Sequence, residues 1–375
     1  RVKVSCLQEN LARGLAIAGR AVSTRGTLPI LAHVLLKTDG GRLKLMATNL
    51  EIGVTSWVQA KVDDEGAITV PAKLFADFVN SLPPGPIDIS LNVRTKTVHI
   101  KSATTEANVK GLDAEEFPII PTIGDKPTTS VAQGVLRRMI SEVAFVAATD
   151  DSRPVLTGVL TTFSGDLLTM AAADPYRLSV RTGPLLMKTE PAVEIIIPAR
   201  SLVEVGRMIG DGDEPVEILV TPNGSQVIFH TDEADLVSRI IEGQFPNYRQ
   251  VIPSSHTTRV TVSREELLNA TRLASFFARD AANIVRFQVD PSNETPLVIS
   301  ATAAEVGDNT SRVDASVDGQ PTAIAFNSRF VSEALGSLNA SEIQLELGGP
   351  LAPGVVKIVG DDTYLHVVMP LRIPT

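Results

Sequence analysis

Arg13 and Arg20 stand seven residues apart, and the same spacing returns at Arg200 with Arg207 and at Arg272 with Arg279. Seven residues make two helical turns, so the members of each pair lie on one helix face. Guanidinium groups held this way grip phosphate oxygens, a contact that is indifferent to base sequence and weakens with salt. A solvated helix face would explain any one pair; recurrence in three places is what favours a polyanion. Lys73, Arg137, Arg138, Arg264 and Arg329 add cations to expected helices, whereas acidic residues gather in loops near 63–65, 113–116, 211–214 and 232–235. The 375-residue chain carries 34 Lys+Arg against 43 Asp+Glu, a net charge of -9. That balance excludes a generically basic nucleic-acid binder and still allows a locally positive surface.

Other chemistry is sparse. His33, His99, His230, His256 and His366 share no metal-ligand spacing and read as strand or surface histidines. The single cysteine, Cys6, reads as a small core residue at a helix start; one cysteine rules out an internal disulfide or a four-cysteine metal site. Gly206 to Gly210 supplies no phosphate loop, and no GxxxxGK[ST] run is present. Asp150-Asp151 and Asp361-Asp362 lack a third convergent ligand and read as turn residues. No catalytic residue, metal or cofactor is therefore expected. Aromatic residues make up only 4%, too few for a base-stacking platform. No apolar run approaches the roughly 18 residues that a membrane helix needs, so a soluble chain is expected, and its single cysteine suits a cytosolic redox setting.

The elements that must position these residues recur. Thr27-Leu28-Pro29-Ile30-Leu31 is echoed by Ser152-Arg153-Pro154-Val155-Leu156, Ile68 to Lys73 by Ile195 to Arg200, and Phe117-Pro118 by Phe245-Pro246. A more diverged third copy sets Ala323 to Phe330 in the place of the Pro-led segments. Three domains follow, 1–121, 128–253 and 258–375. Within the first, Leu7, Leu11, Leu15, Ala18 and Val22 mark one helix face. Strands are expected over 30–37, 42–47, 52–61, 87–93, 97–101 and 106–112, with Asp39-Gly40-Gly41 as a hairpin turn. Pro71 opens a second helix through Phe75, Phe78 and Val79, and Ser263 with Glu266 has the form of a capping box. The fold class is α+β: three repeated units, each with two helices covering antiparallel strands.

The ordered series TLPIL...VLL (27–36), MATNLE (46–51), ITVPAK (68–73), EEFPIIP (115–121), SRPVLTGVL (152–160), AADPYRLSV (172–180), EGQFPNYRQVIP (242–253) and VVMPLRI (367–373) closely resembles bacterial DNA polymerase III beta subunits, the replicative sliding clamps. The Ala-rich, Lys-poor composition looks actinobacterial. The resemblance covers essentially the whole chain. It implies a homodimer joined head to tail, with six domains closing a ring around double-stranded DNA, helices lining the hole and sheets forming the wall. The implied partners are the replicative polymerase, an ATP-dependent clamp loader, and other polymerases and repair proteins that dock through short linear motifs. A cytoplasmic, nucleoid-associated protein without enzymatic activity is implied. A monomeric three-domain peptide scaffold and a hydrolase with a site assembled between domains are the rival classes.

Site residues follow from the same resemblance. Arg25 and Arg153 match loop arginines that touch DNA, and Arg13, Arg20, Arg137, Arg200 and Arg207 join them from the charge pattern. Leu156, Ala173, Pro175, Tyr176, Arg177, Leu178, Pro246, Arg249, Val251, Val367, Met369, Pro370, Leu371 and Arg372 match a groove for leucine- or phenylalanine-bearing peptides. Here Pro175-Tyr176 stands where proteobacterial relatives have Gly-His, Leu371 where they have Met and Ile373 where they have Leu; the last two keep apolar character and so bear on ligand preference more than on the site itself. Phe276 and Phe277 match one side of the subunit seam, and Phe75, Phe78, Ala107 and Val109 the other.

Overall fold

In the computed structural model, residues 2–23, 25–26, 28–124 and 126–373 are described. The first repeat runs β1 (Lys3–Leu7), α1 (Gln8–Ala18), β2 (His33–Asp39), β3 (Arg42–Thr48), β4 (Ile52–Gln59), β5 (Lys61–Asp64), β6 (Ala67–Pro71), α2 (Ala72–Ser81), β7 (Pro86–Asn92), β8 (Thr97–Lys101) and β9 (Glu106–Lys110). The second runs β10 (Thr129–Ala132), α3 (Gln133–Val143), β11 (Gly158–Ala173), β12 (Arg177–Pro198), α4 (Ala199–Met208), β13 (Pro215–Val220), β14 (Gln226–His230) and β15 (Ala234–Arg239). The third runs β16 (Thr258–Ser263), α5 (Arg264–Ala278), β17 (Ile284–Val289), β18 (Leu297–Ala303), β19 (Gly307–Val313), β20 (Ala315–Gly319), β21 (Thr322–Asn327), α6 (Ser328–Gly336), β22 (Glu342–Leu347), β23 (Gly354–Ile358) and β24 (Asp361–Val368).

Each of the helices α1 to α6 is entered directly from a strand. Leu7 and Cys6 thus belong to β1, whose alternation buries Val4 and Cys6, and the helix begins one residue later than its apolar face suggests. Burial, with Asp88 nearby, pushes the Cys6 thiol up to about 12, as befits a core residue. Pro71 ends β6 and caps α2 from outside, where its missing amide costs nothing. Ser263 Oγ accepts the Glu266 N–H at 3.3 Å, which supplies the cap expected of α5. Gly40 and Gly41 take φ of 53° and 85°, the left-handed conformation that a two-residue hairpin demands of both positions.

Contacts divide the chain into two compact units, 1–134 with 200–240 and 135–199 with 241–375. The middle repeat gives one half to each, because its strands pair with those of its neighbours. In the first unit, β10-β13-β14-β15-β4-β3-β2-β6 form one antiparallel sheet, joined where Leu236 faces Val54, and β5-β1-β7-β8-β9 form a second. In the other unit, β11-β12-β24-β23-β22-β16-β20 form a seven-stranded sheet and β19-β18-β17-β21 a four-stranded one. A large core lies there, where α5 and α6 cover Val260, Phe287, Ile299, Phe326 and Leu345. Phe287 and Phe326 meet edge to face at 5.3 Å.

Candidate functional sites

The first unit holds five of the seven candidate phosphate-binding arginines. Leu11, Leu15 and Ala18 turn inward on α1, which leaves Arg13 exposed; Arg20 follows in a short 3-10 turn. With Arg207 of α4 they line a cavity of about 170 Å³ floored by Ala16, Ile17 and Met208. Several of these charges already have partners: Arg13 lies 3.6 Å from Glu233, Arg207 2.8 Å from Glu204, and Arg200 3.2 Å from Glu51, which Arg239 also approaches at 3.4 Å. Arg20 and Arg25 are exposed and make no ion pair among the described residues. Thr27, which opens the first motif, lies outside the described residues. In the second unit Arg137 is exposed on α3, and Arg153 is exposed just before the turn Pro154–Thr157.

The residues expected to form a groove all fall within that second unit. Leu156, Leu178 and Val367 are buried in one apolar cluster, with Ala173 packed at its margin. Leu178 and Val367 are direct partners across β12 and β24. Pro175, Tyr176, Pro246, Arg249, Val251 and Met369 are exposed around it, with Val251 47% and Met369 39% accessible. The C-terminal segment is tied at two points: the Met369 N–H donates to the Tyr176 carbonyl at 2.9 Å, and the Leu371 N–H donates to that of Ala325 at 2.8 Å. Pro370 is half-buried between them and Arg372 is exposed beyond.

Arg177 departs from the expectation of a groove-lining charge. Its guanidinium is bound to Asp174 at 3.1 Å and to Glu333, and lies 4.4 Å from the Phe330 ring centroid and 5.6 Å from that of Phe145. It braces the turn beneath the Tyr176 ring, which stacks on Phe330 at 6.0 Å. The structure adds Ile196, Ile241, Phe245, Tyr248 and Val355 to the cluster. Phe245 and Tyr248 were visible in the EGQFPNYRQVIP motif; Val355 carried no signal, since only strand pairing brings β23 there.

At the expected seam, Phe276 is 58% exposed under the Arg279 guanidinium, whereas Phe277 packs on the α5 core. α5 runs beside β19, an edge strand, and β9 is an edge strand of the first unit. Phe75 corrects the expectation: it is wholly buried, because α2 turns Ala72, Phe75 and Val79 to the core together, so it can support a seam but not touch a partner. Val109 is likewise buried within its own sheet, while Phe78 and Ala107 are half-buried.

Four of the five histidines lie in strands. His366 is fully buried beside Phe145, with no hydrogen-bond partner on either ring nitrogen, and burial with the nearby Arg177 charge pushes it down to about 3. Among the described residues no group of three or more His, Cys, Asp or Glu is placed to hold a metal. No helix among them is long and apolar enough to cross a membrane.

Successive stretches match the family models described as DNA polymerase III beta subunit, N-terminal domain (residues 2–121), central domain (130–247) and C-terminal domain (249–372). The beta sliding clamp of Synechococcus elongatus is 32% identical over 381 residues, covering 99% of this chain and 100% of that one. The crystal structure of the DNA polymerase sliding clamp from Bacillus subtilis is similar with a TM-score of 0.94 at 26% identity, covering 100% of each chain. A sliding clamp from Pseudomonas aeruginosa bound to griselimycin gives 0.92 at 26% identity, covering 99% of this chain and 100% of that one.

Proposed function

The chain belongs to the DNA polymerase III beta subunit family, and on that premise we propose that it works as a DNA sliding clamp that makes the replicative polymerase processive. The observation that carries this is the ordered succession of three family models along the chain, over 2–121, 130–247 and 249–372. Two copies join head to tail into a ring, with 1–121, 128–253 and 258–375 as the clamp domains of each. The edge strands β9 and β19 and the exposed Phe276 supply the surfaces that such a seam needs: backbone groups for strand continuation and an aromatic to exclude water. Closing the ring also covers edges that would otherwise invite promiscuous pairing.

Retention is topological. Two copies carry twice -9, or -18, so bulk charge repels DNA, and the arginines need supply only weak, sequence-independent contacts. Weak contacts permit sliding, while the closed wall prevents escape. The chain itself does no chemistry; polymerisation and the ATPase that opens the ring reside in the polymerase and clamp loader. The cluster around Leu178 and Val367 docks short linear motifs of these proteins and of other polymerases and repair proteins, in the cytoplasm at the nucleoid. Loading onto nicked circular DNA followed by linearisation tests the reading. Loss of the protein from linear but not circular DNA is expected; equal retention on both overturns encirclement, and a monomer by light scattering favours a peptide scaffold.

A further inference from the structure

A single row of register partners crosses the seven-stranded sheet. Ala173 faces Leu178, Leu178 faces Val367, Val367 faces Val355, Val355 faces Glu346 and Glu346 faces Arg259. Directly opposed residues project from the same face. The docking cluster therefore continues without a break into a charged half. Glu346 is the pivot of that half. It is 6% exposed, and its carboxylate takes Arg259 at 2.7 Å, Lys357 at 2.7 Å and His256 at 3.2 Å. Burial alone would push this carboxyl up; hydrogen bonds from Lys357 and Arg259 and the charges of Lys357 and His256 outweigh it and hold the group below its ordinary range.

The three basic side chains stay accessible, His256 at 35%, Arg259 at 39% and Lys357 at 41%. One carboxylate cannot satisfy them. Arg259 alone has five N–H donors and Lys357 three, and together they exceed the single negative charge of Glu346. Asp318, next in the row beyond Arg259, makes no ion pair with it among the described residues. Neighbouring strands lie about 4.8 Å apart, so Arg259 is about 10 Å from Val355, a span of about three extended residues.

The geometry points to an electrostatic subsite of the docking groove: His256, Arg259 and Lys357, pinned by Glu346, take acidic residues flanking the apolar anchor of a bound peptide. This rests on the groove reading above. Charge at such a rim steers encounter and selects partners rather than supplying most of the affinity. A neutral partner leaves these accessible cations in water and gains nothing from them.

The test uses the full-length protein and three synthetic peptides with one leucine–phenylalanine anchor, carrying aspartates before it, aspartates after it, or asparagines at both ends. At low salt, one acidic peptide is expected to bind about fivefold tighter than the neutral one. That advantage should vanish in high salt and in Lys357→Gln and Arg259→Gln, each of which leaves Glu346 two basic partners, while the neutral peptide binds all proteins alike. Equal binding of all three peptides to the unaltered protein, or an acidic preference that survives both substitutions, overturns the subsite and leaves the groove standing. Failure of every peptide to bind overturns the groove reading and this extension with it.

Discussion

Arg181 and Glu142 are joined by two hydrogen bonds, Nε to Oε2 at 2.5 Å and Nη2 to Oε1 at 3.1 Å, with their side chains only 3% and 2% exposed. The pair ties α3 to β12, and Arg181 reaches on to Asp361 and Thr363 of β24, each at 2.7 Å. A charge so far from water persists only when matched, and removing one partner strands the other. Arg181→Ala should therefore destabilise the protein by about 3 kcal/mol in urea unfolding. Arg138, which also binds Glu142 at 2.8 Å, limits the loss. A change below about 0.5 kcal/mol, the scale of an ordinary surface substitution, would show the network to be dispensable.

Stability should fall on the acid side partly because of His366. Its folded pKa of about 3 lies below the ordinary 6.5, so the unfolded chain binds a proton that the folded chain refuses. The group costs nothing above 6.5, and its penalty grows as pH falls from there towards about 3. His366→Leu should flatten that part of the stability profile while leaving the neutral-pH fold intact. An unchanged slope between pH 6 and 4 would mean that His366 finds a way to protonate in place.

For DNA, the arginines should not be equal. Among the described residues Arg20, Arg25 and Arg153 have no acid to leave, whereas Arg13, Arg200 and Arg207 must share or abandon one. Binding to a short linear duplex, which threads freely, should lose about 0.9 from the slope of log K against log salt for Arg25→Ala or Arg153→Ala, and less for Arg207→Ala. Glu51→Gln frees Arg200 and Arg239 together and should tighten binding. Identical slopes in all four variants would remove these residues from the interface.

Much of this architecture was legible in the chain because it depends on local rules. The hairpin at Gly40-Gly41, the cap at Ser263 and the strands around it follow from turn and capping chemistry. What sequence did not reveal depends on which strand lies beside which. Lys3–Leu7 hid in front of a strong helical pattern that claimed Leu7, and the pairing of β15 with β4 and of β12 with β24 makes two compact units from three repeats. Arg177 shows the same limit within the site. Its place in a motif suggested the groove, but its partner Glu333 lies 156 positions away.

The seam prediction separates two adjacent phenylalanines. Phe276 is exposed and free to meet a second copy, so Phe276→Ala should weaken the dimer by about 1–3 kcal/mol without changing subunit stability. Phe277 packs beside Gly307 and the α5 core, so Phe277→Ala should lower subunit stability as well. Sedimentation equilibrium with thermal unfolding reads both effects. An unchanged dimer constant for Phe276→Ala would move the seam elsewhere.

The groove prediction turns on the C-terminal segment. Deleting 369–373 removes the exposed Met369 rim and both backbone ties, to Tyr176 and to Ala325, but none of β24, which ends at Val368. The sheet and the edge strands β9 and β19 therefore stay in place. Peptide capture should drop at least about tenfold, a loss of about 1.4 kcal/mol, while the protein still dimerises and stays on nicked circles. Met369→Ala keeps the ties and removes only the thioether, a flexible side chain of the kind that adapts to differently shaped anchors. It should weaken binding less, and to different extents for leucine and phenylalanine peptides. Undiminished capture by the truncated protein would place the docking site away from Leu178 and Val367 altogether.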